Sequence, residues 1–178
     1  MKSVALTGTP GTGKSTVAHV LKERGYRVIG VMEMVRRTGT SYTYSARDRC
    51  HVVDTDELAR RSAALWRAGV EGVTIVEGHL AHYASCDMAI VLRCRPSELF
   101  ARLEKRGWKK QKIQDNVRSE VLDVILIEAM ERIKCIHEMD TGSMTPADAA
   151  DAVEMAINGR SRNPPVTSRW RGEIEKWF

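Results

Sequence analysis

The sequence predicts an α/β fold in which helices cover both faces of a parallel sheet. Two observations predict it. The candidate strands are continuously apolar, as at residues 88–92, and helical patterns separate them along the chain. Parallel strands have this composition because both of their faces are buried. The length of 178 residues and the apolar content of 43% suit one domain with its own core.

The first unit is a strand, a glycine-rich loop and a helix. Residues 4–7 form an apolar run, and residues 8–13 hold three glycines and a proline, which neither a strand nor a helix accommodates. After the loop, Val17, Val20 and Leu21 recur at helical spacing. We therefore expect the first strand to run directly into the loop and the first helix.

Strands and helices continue to alternate in the middle of the chain. The segment 38–45 is polar and turn-prone, and the pair Asp54 and Glu57 is typical of a helix N-terminus. That helix ends at Gly69. Further strands are predicted at residues 27–29, 73–76 and 88–92.

The second half is mainly helical. Pro96 suits the first position of a helix that ends at Gly107. We next expect one long helix over about 114–137, with a short strand near 135–139. Thr145, followed by Pro146, begins the last helix.

Composition excludes several classes of protein. The longest apolar run has five residues, far short of the ~18 that cross a bilayer, so no membrane association is expected. The N-terminus has no signal-peptide pattern, which predicts a cytoplasmic location, also nuclear in a eukaryote. The four cysteines and five histidines lack the spacing of disulfide scaffolds or zinc sites, so reduced thiols are expected.

Positive charge is concentrated in two segments. The chain carries a net charge of +5, which favours ligands with phosphate groups. Residues 105–112 are basic, and so is the C-terminal tail, 160–178, which follows a domain over 1–159. Either the tail is a free arm that binds RNA, or its aromatic residues fold back onto the domain. The residues concerned are Arg160, Arg162, Arg169 and Arg171 for the arm, and Trp170, Trp177 and Phe178 for docking.

The glycine-rich loop matches a phosphate-binding motif in full. Residues 8–15 read GTPGTGKS, which fits G-x-x-x-x-G-K-[ST] between a strand and a helix. Glycines let the backbone amides approach phosphates closely, and the helix N-terminus adds positive potential. Lys14 is expected to reach the β- and γ-phosphates of ATP, and Ser15 to bind Mg²⁺.

A second phosphate-site element is predicted at the end of the strand 73–76. Glu77 follows this strand and is expected to act on the magnesium ion through water. His79 is expected near the γ-phosphate, where it could instead be only packed. His82 is interpreted as a surface residue.

Arginines supply the remaining candidates. Arg106 lies in the basic segment after a helix, where a mobile flap would bring its charge to the transferring phosphoryl group. One of Arg36 and Arg37 is expected to bind the phosphate of an acceptor.

Several segments together resemble the CINAP-type adenylate kinases, small nucleotide kinases of archaea and of the eukaryotic nucleus and cytoplasm. The resemblance covers about residues 1–158. The segments that carry it are 8–16 (GTPGTGKST), 77–79 (EGH), 92–93 (LR), 102–108 (RLEKRGW), 112–113 (KI) with Asn116, and 120–129 (EVLDVILIEA).

The resemblance implies a P-loop fold of the nucleoside monophosphate kinase type, with a five-stranded parallel sheet. It implies an acceptor-binding segment at about 30–53, with Arg36 on the acceptor phosphate, and a lid at about 105–115. It also implies contacts to ATP from Gly11, Gly13, Lys14, Ser15, Thr16 and Arg106. Two features depart from the eukaryotic members: Glu77 stands where they have Asp, and residues 45–49 are basic where their acceptor region is acidic.

Three functions stay open at this point. The leading hypothesis is an adenylate kinase that uses Mg²⁺ and ATP, converts ATP and AMP to two ADP, and also hydrolyses ATP. The resemblance implies a partner among the platform proteins of the small ribosomal subunit, and the basic tail makes rRNA a second candidate partner. The chain is expected to be monomeric. The alternatives are an ATPase switch in ribosome assembly and a kinase for another small acceptor.

Overall fold

The computed structural model describes residues 2–46, 50–69, 72–160 and 170–178. Its strands are β1 Lys2–Thr7, β2 Arg27–Gly30, β3 Tyr42–Ser45, β4 Cys50–Val53, β5 Val73–Glu77, β6 Met88–Arg93 and β7 Cys135–Asp140. Its α-helices are α1 Lys14–Glu23, α2 Val31–Thr38, α3 Thr55–Arg67, α4 Pro96–Lys105, α5 Lys110–Val121, α6 Val124–Arg132, α7 Pro146–Ile157 and α8 Ile174–Trp177. Short 3₁₀ turns lie at Ala81–Tyr83 and Arg171–Glu173. Across these ranges, no helix is both long and apolar enough to span a membrane.

Five of the strands form one parallel sheet in the order β2-β5-β1-β6-β7. Strand β1 lies at its centre, where Leu6 pairs with Glu77 on one side and with Ile90 on the other. The chain crosses from one side of β1 to the other after β5, and ligands of α/β proteins bind at such a switch in strand order. The predicted fold class and the five-stranded sheet are confirmed.

Alternate residues of β1 point into two different cores. Val4 and Leu6 pack with α1 and α7, whereas Ala5 packs with α2, α3 and α6, and all three side chains are fully buried. A third cluster joins α4 and α5 through Leu99 and Val117. Because helices cover both faces, the strands are apolar throughout, as the sequence predicts.

The prediction of one long helix over 114–137 is wrong. The structure divides it into α5 and α6, followed by β7 at the place where a short strand was expected. The break is at Asp123, whose backbone takes a left-handed conformation with φ of 56°. Asp tolerates that conformation better than most residues, and here its carboxylate also binds Arg93. Helical periodicity resumes after the break, so the apolar pattern alone does not reveal it.

The end of the chain docks against α4 and α5. Trp170 is buried, and the Trp177 ring lies 5.6 Å from the ring of Phe100. Glu173 accepts a 2.6 Å hydrogen bond from Arg95, and Arg118 donates to the Trp177 carbonyl at 2.9 Å. Of the two alternatives that the sequence left open, the structure shows docking for 170–178. Arg162 and Arg169 lie outside the described residues.

Deleting residues 170–178 should lower the melting temperature by roughly 5–10 °C, because it removes the burial of Trp170 and Trp177. Differential scanning calorimetry would measure the change against Lys176→Ala, which alters only an exposed residue of the same segment. A deletion variant that melts with the full-length protein would show that the docked segment contributes nothing to stability.

Candidate active site

The loop after β1 requires glycine at two positions for steric reasons. Gly8 and Gly11 have φ values of 138° and 102°, which side chains rarely allow. A Cβ on Gly8 would lie 2.2 Å from the Leu92 carbonyl oxygen, and one on Gly11 would lie 2.6 Å from the Leu99 side chain. Both glycines therefore let the loop pack directly on β6 and α4.

The loop leads into the N-terminus of α1. The residue before the helix is Gly13, so no side chain caps the first turn of α1. The amides of that turn carry the positive end of the helix dipole and are suited to bind an anion. The position predicted for the phosphates thus has the expected backbone geometry.

Lys14 is folded back into this loop. Its side chain is buried, and Nζ donates a 3.0 Å hydrogen bond to the carbonyl oxygen of Thr9. Burial lowers the pKa of Lys14 to about 8, and Arg106 adds to the lowering, while the carboxylates of Glu77 and Glu120 oppose it. A phosphate group beside Nζ would favour the charged form of Lys14.

Ser15 and Glu77 meet across the switch point. Glu77 ends β5, and the Ser15 hydroxyl donates a 3.0 Å hydrogen bond to its Oε1. A hydroxyl and a carboxylate beside a phosphate-binding loop are the oxygen donors that Mg²⁺ prefers when it also binds substrate phosphates. These two residues therefore fit the predicted metal position.

Two cavities open on opposite sides of the loop. The first, of about 450 Å³, extends from the loop to the start of α7. The second, of about 350 Å³, lies between the loop, the start of α2 and the end of β5. Gly11, Gly13 and Arg106 line both cavities. The first also contacts Thr12, Thr16, Val17, Arg102, Lys105, Thr141, Met144, Thr145, Pro146 and Ala149, and the second contacts Pro10, Lys14, Ser15, Gly30, Val31, Met32, Glu77, Gly78, His79 and Trp108.

Residues of the basic segment after α4 line both cavities. Arg106 is exposed and directly follows α4, and Trp108 lies two residues further on, in the same short connection to α5. Lys112, in the first turn of α5, lies with Nζ 4.6 Å from the centre of the Trp108 ring. The predicted lid, 105–115, is thus the end of α4, a four-residue connection and the beginning of α5.

The two remaining candidates lie in different places. His79 lines the second cavity, where desolvation and the charges of Lys14 and Lys112 lower its pKa. Arg36 is exposed on the last turn of α2 and lines neither cavity, so its contact with an acceptor stays a prediction. Its neighbour Arg37 forms an ion pair with Glu33 at 2.6 Å.

His82 is not the surface residue that the sequence suggested. It is 1% exposed, and its Nδ1 lies 3.1 Å from the hydroxyl of Thr7, the residue just before the loop. Its Nε2 lies 3.1 Å from a carboxylate oxygen of Glu128. A single histidine in a loop gives no sequence signal of such burial, because both partners are distant in the chain.

Acid should destabilise the protein through His82. Burial, followed by the charges of Arg132 and His79, lowers the pKa of His82 from 6.5 to about 4. Between these values the unfolded chain binds a proton that the folded protein does not, so stability falls as the pH decreases through this range. The loss from this group is at most about 3 kcal/mol, because the Glu128 carboxylate beside Nε2 favours the protonated ring.

Urea unfolding at a series of pH values would measure this loss. The wild type and His82→Gln contain the same carboxylates. The difference between the two proteins in how the free energy of unfolding changes with pH therefore reports protonation of the His82 imidazole. We expect the free energy of unfolding of His82→Gln to fall less steeply between pH 6.5 and 4.5, and equal slopes would contradict the assignment.

Sequence reasoning also missed a buried ion cluster behind the loop. Arg93 ends β6 at 1% exposure, and its guanidinium binds the carboxylates of Glu120, Asp123 and Glu138. Burial opposes the charge, but Glu120 and Asp123 raise the pKa of Arg93 above its ordinary value. The available signal was a charged residue at the end of a continuously apolar strand.

Comparison with known families identifies relatives over most of the chain. A family model described as an AAA domain matches residues 4–123. The chain is 42% identical to a protein of Archaeoglobus fulgidus named "Putative adenylate kinase", over 97% of this chain and 93% of that protein. A protein of the same name from Methanothermobacter thermautotrophicus is 38% identical over 91% of this chain and 93% of its own length.

Solved structures share the fold at low sequence identity. Shikimate kinase from Acinetobacter baumannii, in complex with shikimate, aligns with a TM-score of 0.59 and 14% identity over 92% of this chain and 96% of that one. The YorR protein of Bacillus subtilis, in complex with phosphorylated GDP, aligns with a TM-score of 0.56 and 17% identity, over 88% of this chain and 95% of that one. At these identities the likeness concerns the fold alone.

Proposed function

The chain belongs to the P-loop family of nucleoside monophosphate kinase-like phosphotransferases, and on that premise we propose that it is an adenylate kinase, which transfers the γ-phosphoryl group of ATP to AMP. One observation carries the proposal. The loop forms a wall between two cavities, and Arg106 lines both. A transferase of this kind needs a donor and an acceptor on either side of one phosphate position.

The donor belongs in the first cavity. Its phosphates would lie on the amides of the loop and of the first turn of α1, and its γ-phosphate would reach Lys14, which lines the second cavity. The rest of the nucleotide would extend toward Arg102 and Thr145, which line the same cavity. The second cavity, which reaches the start of α2, would hold the phosphate of the acceptor.

Catalysis then consists of positioning and charge neutralisation. Lys14 from the loop and Arg106 from the connection after α4 both line the second cavity and would supply positive charge to the transferring group. Ser15 and Glu77 would hold Mg²⁺, Glu77 through water, and the bound ion would neutralise phosphate charge. Closure of the segment 105–115 would exclude water from the acceptor side.

A panel of acceptors tests this specificity. The purified protein would be incubated with Mg·ATP and each of AMP, GMP, CMP, UMP and shikimate, and the products separated by anion-exchange chromatography. We expect AMP to give a kcat/KM at least ~10-fold above the other acceptors, which corresponds to about 1.4 kcal/mol of discrimination. Preference for shikimate or for another nucleotide would overturn the adenylate kinase assignment.

Hydrolysis of ATP is a second proposed activity, favoured by the position of His79. This ring lines the acceptor cavity, and its lowered pKa keeps it neutral and able to accept a proton from water. His79→Ala should therefore lower hydrolysis by roughly 10- to 100-fold and lower transfer to AMP less. The two rates would be measured as free phosphate and as ADP formed from AMP. Equal losses in both activities would assign His79 a structural role.

The other expectations from the resemblance extend this proposal. We propose a monomeric protein of the cytoplasm that acts with a platform protein of the small ribosomal subunit. This proposal is supported by the resemblance of the segments quoted above to the CINAP-type adenylate kinases. Co-sedimentation with small-subunit particles, with and without ATP, would test the association.

A further inference from the structure

The phosphate-binding loop is tied from behind to a buried carboxylate. The hydroxyl of Thr9, the second residue of the loop, donates a hydrogen bond to Oε2 of Glu120. The other oxygen, Oε1, accepts from Arg93 Nε at 2.7 Å and from the backbone amide of Cys94 at 3.1 Å. Glu120 is 2% exposed, so these hydrogen bonds replace its solvation by water.

The carbonyl of Thr9 organises the catalytic end of the loop. It accepts hydrogen bonds from the amide and the hydroxyl of Thr12, at 3.2 and 3.0 Å, and from Lys14 Nζ at 3.0 Å. One residue therefore contacts Glu120 through its side chain and Lys14 through its backbone. A displacement of the Thr9 backbone would therefore move the acceptor that holds Lys14.

Arg93 supports Glu120 from behind through several further contacts. Arg93 donates to the Glu120 backbone carbonyl at 3.0 Å and to Glu138 Oε1 at 2.5 Å, and it also binds the carboxylate of Asp123. These contacts fix the end of α5 to the ends of β6 and β7. A buried, fully hydrogen-bonded network of this kind has few alternative arrangements.

We propose that Glu120 is a positioning residue for phosphoryl transfer, which acts through Thr9 to hold Lys14 at the phosphate site. The proposal rests on the proposed function, because it assumes that Lys14 acts in phosphoryl transfer. The helix that carries Glu120 begins at the lid, with Lys112 beside Trp108. The same helix therefore contacts the lid at one end and the loop at the other.

A double-mutant cycle tests the proposal. Thr9→Val removes the hydroxyl at nearly constant volume, and Glu120→Gln replaces the carboxylate without changing its shape. Each should lower kcat by roughly 10- to 30-fold with less than about 3-fold change in KM for ATP, since a misplaced Lys14 affects the transition state most. The double variant should be no worse than Glu120→Gln, because Glu120 acts through Thr9. Thr9→Ser, which keeps the hydroxyl, should stay within about 3-fold of the wild type.

Glu138→Gln is the matched control. It removes another carboxylate from Arg93, whereas the hydroxyl of Thr9 binds Glu120. It should lower the melting temperature as Glu120→Gln does and leave kcat within about 3-fold. Additive losses in the cycle, or an equal loss in Glu138→Gln, would overturn the proposal and leave a purely structural ion cluster.

A readout that does not depend on the acceptor separates this inference from the proposed function. Hydrogen exchange of the Thr12 amide, which donates to the Thr9 carbonyl, should accelerate at least ~10-fold in Thr9→Val and Glu120→Gln and stay unchanged in Glu138→Gln. If AMP proves not to be a substrate, this pattern still supports the link from Glu120 to the loop. Unchanged exchange in all three variants would contradict it.

Discussion

Lys14→Ala should lower phosphoryl transfer from ATP to AMP by at least ~100-fold. The side chain is the buried cation of the phosphate-binding loop, and burial places it in a low-dielectric position where its charge acts strongly on a transferring phosphoryl group. Nζ makes a single hydrogen bond among the described contacts, to the Thr9 carbonyl, so its loss should leave the fold intact.

Initial rates of ADP formation, with circular dichroism spectra of both proteins, would measure this effect. Lys22→Ala is the control, because Lys22 lies on the exposed side of the same helix. A folded Lys14→Ala protein with the turnover of the wild type would disprove the role of the loop.

Arg106→Ala should lower kcat for transfer by ~10- to 1,000-fold, with a smaller effect on the affinity for ATP. Arg106 directly follows α4 and lines both cavities, yet it is exposed in this structure. Its contact with the transferring group would therefore form mainly when the lid closes. The loss should appear in kcat because only the closed complex contains that contact.

Steady-state kinetics and calorimetric titration with a non-hydrolysable ATP analogue would separate the two effects. Lys109→Ala removes a nearby exposed cation that lines neither of the two cavities, and it should retain nearly full kcat. Equal losses in Arg106→Ala and Lys109→Ala would indicate a general effect of positive charge rather than a specific contact.

Features encoded by consecutive residues could be predicted from the sequence. The loop at 8–15 is such a feature, because glycine spacing, Lys14 and the helix that follows are all local. Glu77 could be placed beside Ser15 by topology alone, since parallel strands β1 and β5 end at the same edge of the sheet.

Features that depend on distant contacts could not be predicted. Glu120 and Thr9 are 111 positions apart, and no pattern in either segment indicates that they meet. The break between α5 and α6 also depends on a distant contact. At the break, Asp123 has a left-handed backbone conformation, and its carboxylate binds Arg93, which lies 30 positions away. The docking of the last residues was left open because aromatic side chains alone do not specify the surface that they cover.

The fate of the γ-phosphate tests the central claim most directly. The protein would be mixed with Mg·ATP labelled at the γ-position and unlabelled AMP, and the products separated at less than about 10% conversion to stay in the initial-rate regime. The claim predicts that the label appears mainly in the β-phosphate of ADP formed from AMP, and that Lys14→Ala abolishes its appearance. Label recovered mainly as free phosphate, at a rate that AMP does not change, would contradict phosphotransfer and leave an ATPase.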